Sequence, residues 1–243
     1  MRSPEKLPKR HFIKHVIEFN DLMLVWQSPQ DEQRIRYVVG KLVRNKSDVT
    51  LFYLTESSDF KKALKLGFDG YPAFMINKEI HAMGVLDAFM RRLPPRTRSD
   101  FEQYLEILRL PPNVNITDFS LLGYSGAKLP SDTFSIVPSF ESTGPCEFLM
   151  DVAGFRHISE IVLDHIELGT EVYFEEEPEN KIDSNAIRIL IDRKKIGYVT
   201  RAHLPAFRRW LREGWHIKGV VERKNGQPES PVLYLFIEVF KPG

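Results

Sequence analysis

The chain has 243 residues, a formal net charge of +1 and a single cysteine, Cys146. That length suits one large domain or two small ones, and near-neutrality excludes a global pull toward nucleic acid or a membrane surface, so either needs a local patch. One cysteine excludes an internal disulfide and a thiolate metal cage, and no apolar run approaches the roughly 18 residues of a membrane span. A cytoplasmic protein is expected.

Residues 1–18 read as a basic tail without the apolar core of a secretory signal. His11 and His15 stand four apart, as two ligands on a helix would, but they adjoin strand-like sequence, so solvated side chains are expected. A first domain, 19–138, opens with β-rich runs at 22–27, 35–42 and 49–54, separated by polar turns in the manner of an antiparallel meander. A helix follows at 84–93, stopped by Pro94-Pro95. A second, capped by Ser99 or Asp100, carries Phe101, Tyr104, Leu105 and Leu108 at helical spacing before Pro111-Pro112. A short strand at 134–137 closes the domain. Residues 139–145 (Ser-Phe-Glu-Ser-Thr-Gly-Pro) form a linker rich in turn formers.

The second domain, 146–243, is read as strands at 146–152, 171–174, 186–191, 195–199, 216–222 and 232–240. One helix, 204–211, starts with Pro205 in its first turn. The expected class is α+β: an N-terminal antiparallel β-meander with helices, then a small, partly open β-barrel with short helices.

The richest stretch is 177–199. Asn and Asp bond their own backbone two residues on, so Asn180, Asp183 and Asn185 build a polar corner before the apolar run 186–191. Glu175, Glu176, Glu177 and Glu179 alternate faces along a strand and cannot converge on a cation, so an acidic rim and no metal site are expected. Asp192-Arg193-Lys194, after Pro178-Glu179, loosely resembles the core of metal-dependent nucleases. A hairpin turn explains it better, because Ile196-Gly197-Tyr198-Val199 returns at once. The chain lacks a Walker loop, a His-Glu-x-x-His and a Gly-x-Ser-x-Gly elbow, and Cys146 has no neighbouring base. No enzyme activity and no cofactor are expected. Arg156, Arg193, Lys194, Lys195, Arg201, Arg208, Arg209 and Arg212, with His157, Tyr198 and Trp215, offer cations for phosphates and rings for bases. Acids match bases in number there, which suits a compact site for a few nucleotides rather than a long groove.

Gly154-Phe155-Arg156-His157, Glu177-Pro178-x-Asn180-x-x-Asp183-x-Asn185-Ala186-Ile187, Ile196-Gly197-Tyr198-Val199-x-Arg201 and Gly219-Val220-Val221 occur in an order that resembles the HIRAN domain family. The resemblance implies a small OB-like β-barrel that binds single-stranded DNA, preferring a free 3′ end. By position it implies that Arg156 and His157 touch terminal nucleotides and that Asn180 bonds a base or backbone. Asp183 would accept from the terminal 3′-hydroxyl, while Tyr198 and Arg201 offer a ring and a cation. His157-Ile158 stands where the family has an aromatic pair, and Arg223 where it has an apolar stacking residue. More weakly, Gly40-Lys41-Leu42, Phe52-Tyr53-Leu54, Phe89-x-x-x-Leu93-Pro94, Asp118 to Gly123 and Phe134 to Pro138 resemble the N-terminal subdomain of HipA-type kinases. That piece implies docking to a protein partner such as a HipA-type kinase, a nuclease or a helicase. The alternatives are a toxin–antitoxin or phage-defence adaptor, and a metal-dependent nuclease.

Overall fold

The computed structural model describes residues 11–29, 34–46, 48–129, 132–141, 144–157, 166–227 and 230–242. Two compact units emerge. Within the described residues, an N-terminal unit comprises 16–143 with 201–209, and a C-terminal unit comprises 1–15, 144–200 and 210–243.

In the N-terminal unit the meander forms as β1 (Asp21–Gln27), β2 (Arg36–Arg44) and β3 (Val49–Tyr53), all antiparallel. Leu22 pairs with Leu42 and Leu42 with Leu51, and all three side chains are fully buried. A one-residue register shift would turn this apolar row to solvent, so the pattern fixes the pairing. Helix α1 (Ser58–Lys65) follows, then a two-stranded pair of β4 (Gly70–Tyr71) and β5 (Phe74–Met75), and the edge strand β6 (Ile80–His81). Helices α2 (Val85–Met90), α3 (Phe101–Ile107) and α4 (Asp118–Ser125) lead to β7 (Phe134–Pro138). The sheet order is β6-β3-β2-β1-β7.

Neither α1 nor α4 is expected from apolar spacing. Helix α1 buries only Phe60 and Ala63, and Ser57 caps it by accepting from the Phe60 N–H. Helix α4 is buried along Phe119 to Tyr124, so it has no wet face to give a period. Both are marked by their caps, Ser57 and Thr117, rather than by spacing.

The C-terminal unit contains β8 (Cys146–Asp151), a 3₁₀ turn at Phe155–His157, β9 (Glu171–Glu176), β10 (Ile187–Ile191) and β11 (Lys194–Tyr198). Helix α5 (Leu204–Arg212) follows, its residues from Trp210 onward belonging to this unit. Long strands β12 (His216–Gln227) and β13 (Ser230–Phe240) complete an antiparallel sheet ordered β11-β10-β9-β12-β13-β8. Phe148, Met150, Trp210, Leu235, Ile237 and Val239 are buried. The expected barrel is corrected: the sheet is open, with β11 and β8 as its edges. Among the described residues only an isolated bridge, Ala153 with Tyr198, links the two ends, because β8 stops at Asp151 before a ladder can form.

The leader departs from a solvated tail over its described part. Ile13 is buried, the Glu147 carboxylate accepts from the Lys14 and His15 N–H groups, and His15 and His11 bond Glu147 and Glu222 at 2.8 and 2.6 Å. Residues 1–10 of that leader, 142–143 of the linker and Ile158 lie outside the described residues.

Candidate nucleic-acid interface

The corner between β9 and β10 is built by its own side chains. Asn180 Oδ1 accepts from the N–H groups of Ile182 at 3.0 Å and Asp183 at 3.1 Å. Asp183 Oδ1 accepts from Asn185 N–H at 3.0 Å. Both are the local Asx bonds expected of these residue types. Backbone bonds Asn180 N–H to Glu177 C=O, Ala186 N–H to Asp183 C=O and Glu177 N–H to Ala186 C=O close the loop.

Glu177 is the hub of this corner rather than part of a wet rim. It accepts from Asn180 Nδ2 at 2.5 Å and from the Tyr198 hydroxyl at 3.0 Å, and Arg188 Nη1 lies 3.8 Å away. The Asn180 hydrogen bond, helped by smaller contributions from Tyr198, Lys195 and Arg188, holds its carboxyl below the usual range against burial, which acts in the other direction. The Tyr198 hydroxyl in turn accepts from Asn180 Nδ2 at 3.2 Å and from Lys195 Nζ at 2.7 Å. One donor and two acceptor sites are the whole capacity of a phenol, so this hydroxyl is filled. Asn180 is filled as well: its two N–H bonds go to Glu177 and Tyr198, and its oxygen takes two backbone N–H groups. The Tyr198 ring and the exposed Lys195 ammonium are the groups this hydrogen-bonded corner turns toward a ligand.

The Ala153–Tyr198 bridge brings the second element in. Each residue's N–H donates to the other's C=O at 2.9 Å. The chain then turns at Gly154, whose φ of +75° suits glycine, and buried Phe155 anchors the 3₁₀ turn. Half-buried Arg156 and exposed His157 follow, with Arg156 Nε donating to His157 Nε2 at 3.2 Å.

Of the six residues expected to meet a ligand, Arg156, His157, Asn180, Asp183 and Tyr198 are therefore connected through one bridge and one hydrogen-bonded corner. Arg201 is held by the N-terminal unit: its Nη1 donates to Asp59 Oδ1 at 2.6 Å and its guanidinium lies 5.8 Å from the Tyr37 ring centroid. Sequence reading missed Glu177 as the organiser. Asn180 three residues on was the local signal, but the decisive partner, Tyr198, is 21 residues away. Asp192 and Arg193, with φ of +48° and +63°, are the two central residues of the β10–β11 hairpin, whose ends pair as Ile191 with Lys194. That is the type I′ pattern of a two-residue turn. Among the described residues no cluster of three or more His, Cys, Asp or Glu side chains is arranged to hold a metal ion.

Residues 146–240 match the family model described as the HIRAN domain. Two solved structures are similar to parts of the chain. The HIRAN domain of human HLTF is 19% identical over 38% of this chain and 74% of its own, with a TM-score of 0.32. A protein from Lactobacillus plantarum is 24% identical over 40% of this chain and 97% of its own, with a TM-score of 0.33. No curated protein matches the chain. The HipA-like reading of the N-terminal unit gains no support from these comparisons. The family match places a HIRAN domain at residues 146–240, a span that takes in the segment 201–209 grouped with the N-terminal unit as well as the C-terminal unit.

Proposed function

We propose that the C-terminal unit is a non-enzymatic reader of single-stranded DNA that prefers a free 3′ end. One observation carries this reading: the Ala153–Tyr198 bridge joins the Arg156-His157 turn to the Asp183 corner, setting cation, ring and carboxylate on connected backbone. The HIRAN match supports it, since the family it resembles binds single strands. In this reading Arg156 contacts phosphate, and His157 and Tyr198 offer rings. Asp183 accepts from the 3′-hydroxyl and repels a phosphate that would continue the strand. Asn180 shapes the corner. Fluorescence anisotropy with a labelled ten-nucleotide single strand and its blunt duplex tests it; the single strand should bind tighter, and equal or absent binding of both removes the proposal.

For the N-terminal unit we propose protein docking. Edge strand β6 exposes Ile80, and Met75 and Met83 are exposed on neighbouring segments, Met83 at 86% of its full area. Exposed apolar side chains beside an edge strand of the sheet favour a protein partner, here a HipA-type kinase, a nuclease or a helicase. A cytoplasmic toxin–antitoxin or phage-defence adaptor is the same docking role with incidental DNA affinity. Loss of capture of such a kinase on Met83→Glu would support docking, and unchanged capture would remove it. Among the described residues no helix is long and apolar enough to cross a membrane.

A further inference from the structure

The cations of the C-terminal unit differ in what already holds them. Arg188 bonds Glu175 at 2.6 Å and faces Glu177 at 3.8 Å. Lys218 pairs with Glu171 at 3.0 Å. Lys195 is different: it is exposed, and its ammonium donates at 2.7 Å to a neutral hydroxyl, that of Tyr198. No described carboxylate lies within ion-pair distance of it, although Glu177, bonded to the same hydroxyl, attracts it electrostatically.

The hydroxyl acts as a tether. It donates to Glu177, which obliges its lone pairs to point at donors, and Lys195 and Asn180 take those two places. A lysine on a strand end ordinarily samples many rotamers, and ordering it costs side-chain entropy. Here the ammonium has a resting position beside the Tyr198 ring, 4.8 Å from its centroid, and it retains two further N–H donors. A point charge with spare donors beside an aromatic ring is the arrangement that suits a phosphodiester next to a stacked base.

We infer that Lys195 is a phosphate-binding residue of this site, positioned by Tyr198, and that Glu177 and Asn180 act by fixing Tyr198. The inference rests on the single-strand reading of the same corner and names a contact outside the six residues taken from the family pattern. The ligand group is a phosphodiester of the bound strand, recognised by charge and not by base.

The test is anisotropy with a ten-nucleotide single strand at several salt concentrations, for wild type, Lys195→Gln, Lys195→Arg and Tyr198→Phe. A thermal melt of each variant confirms that the exposed change leaves the fold intact. Lys195→Gln should weaken binding roughly tenfold and reduce the slope of log Kd against log salt by about 0.7, the amount for one phosphate contact on a single strand. Lys195→Arg should keep the slope. Tyr198→Phe keeps the ring and loses the tether, so it should weaken binding about threefold with the slope retained. A wild-type protein that binds single strands while Lys195→Gln has the same affinity and slope overturns the inference alone. A wild-type protein that binds no strand overturns the reading beneath it as well.

Discussion

Gly197→Ala tests whether the bridge at the sheet's open edge positions the site. Gly197 has φ of +145°, and a methyl group there would overlap Val152 Cγ1 and stand 2.5 Å from the Ala153 carbonyl oxygen. The oxygen is backbone, so it cannot swing aside as a side chain would. Relief requires the β11 edge to leave Ala153, which breaks the two 2.9 Å bonds of the bridge. Two such bonds are worth about 1 kcal/mol each, and forcing alanine into this backbone region costs about 1–3 kcal/mol, so the expected loss is about 3–5 kcal/mol. Gly169→Ala is the control: its φ is +86° but nothing lies within 4 Å, so it carries the backbone term alone. Urea unfolding should therefore separate the two variants by about 2 kcal/mol, the worth of the bridge. Single-strand affinity should fall for Gly197→Ala, because Arg156 and His157 are no longer registered against Tyr198, and should hold for Gly169→Ala. Equal destabilisation of both variants with unchanged affinity would refute the reasoning.

Arg92→Met should destabilise the N-terminal unit by about 3–5 kcal/mol, because it strips partners from a buried network. The Arg92 side chain is 2% exposed and bonds Asp132 at 2.6 and 2.8 Å, Ala127 C=O at 2.6 Å and Phe134 C=O at 3.1 Å. Urea unfolding measures it, and adding Asp132→Leu should restore part of the loss. Arg193→Gly should stabilise the β10–β11 turn by about 0.5 kcal/mol, as glycine relieves the positive φ but gains freedom in the unfolded chain. A calorimetric shift in the opposite direction would contradict the turn assignment. Glu177 adds a pH dependence. Its carboxyl is held low, first by Asn180 and then by Tyr198, Lys195 and Arg188, so the stability it contributes is present above the ordinary glutamate range. That contribution is lost as pH falls through its lower folded value. The gap in urea midpoint between wild type and Glu177→Gln should be full at pH 7 and shrink below the ordinary range; a constant gap would exclude this linkage.

The meander and the polar corner were legible because their rules are local. Alternating apolar residues fix β1 to β3, and Asn180 and Asp183 bond backbone two residues on whatever surrounds them. Glu177 escaped that logic. Strand alternation correctly separates it from its neighbours, but its partner Tyr198 comes from another strand. Arg201 stands apart from the corner for the reverse reason. Three residues after Tyr198 it looks like part of the same motif, yet the chain passes into the N-terminal unit at 201, where Asp59 supplies its counter-ion. The barrel stayed open because the strand count says nothing about whether the first and last strands overlap. Here β8 ends two residues short of the bridge at Ala153. Helices α1 and α4 were hidden by composition, one mostly charged and one apolar throughout.

The central claim is end recognition by Asp183. Anisotropy competition between a single strand ending in a 3′-hydroxyl and the same strand ending in a 3′-phosphate measures it directly. A carboxylate that accepts from the hydroxyl should favour the first by about tenfold or more, and Asp183→Ala should erase the difference. Equal affinity of the wild-type protein for both ends would contradict the account.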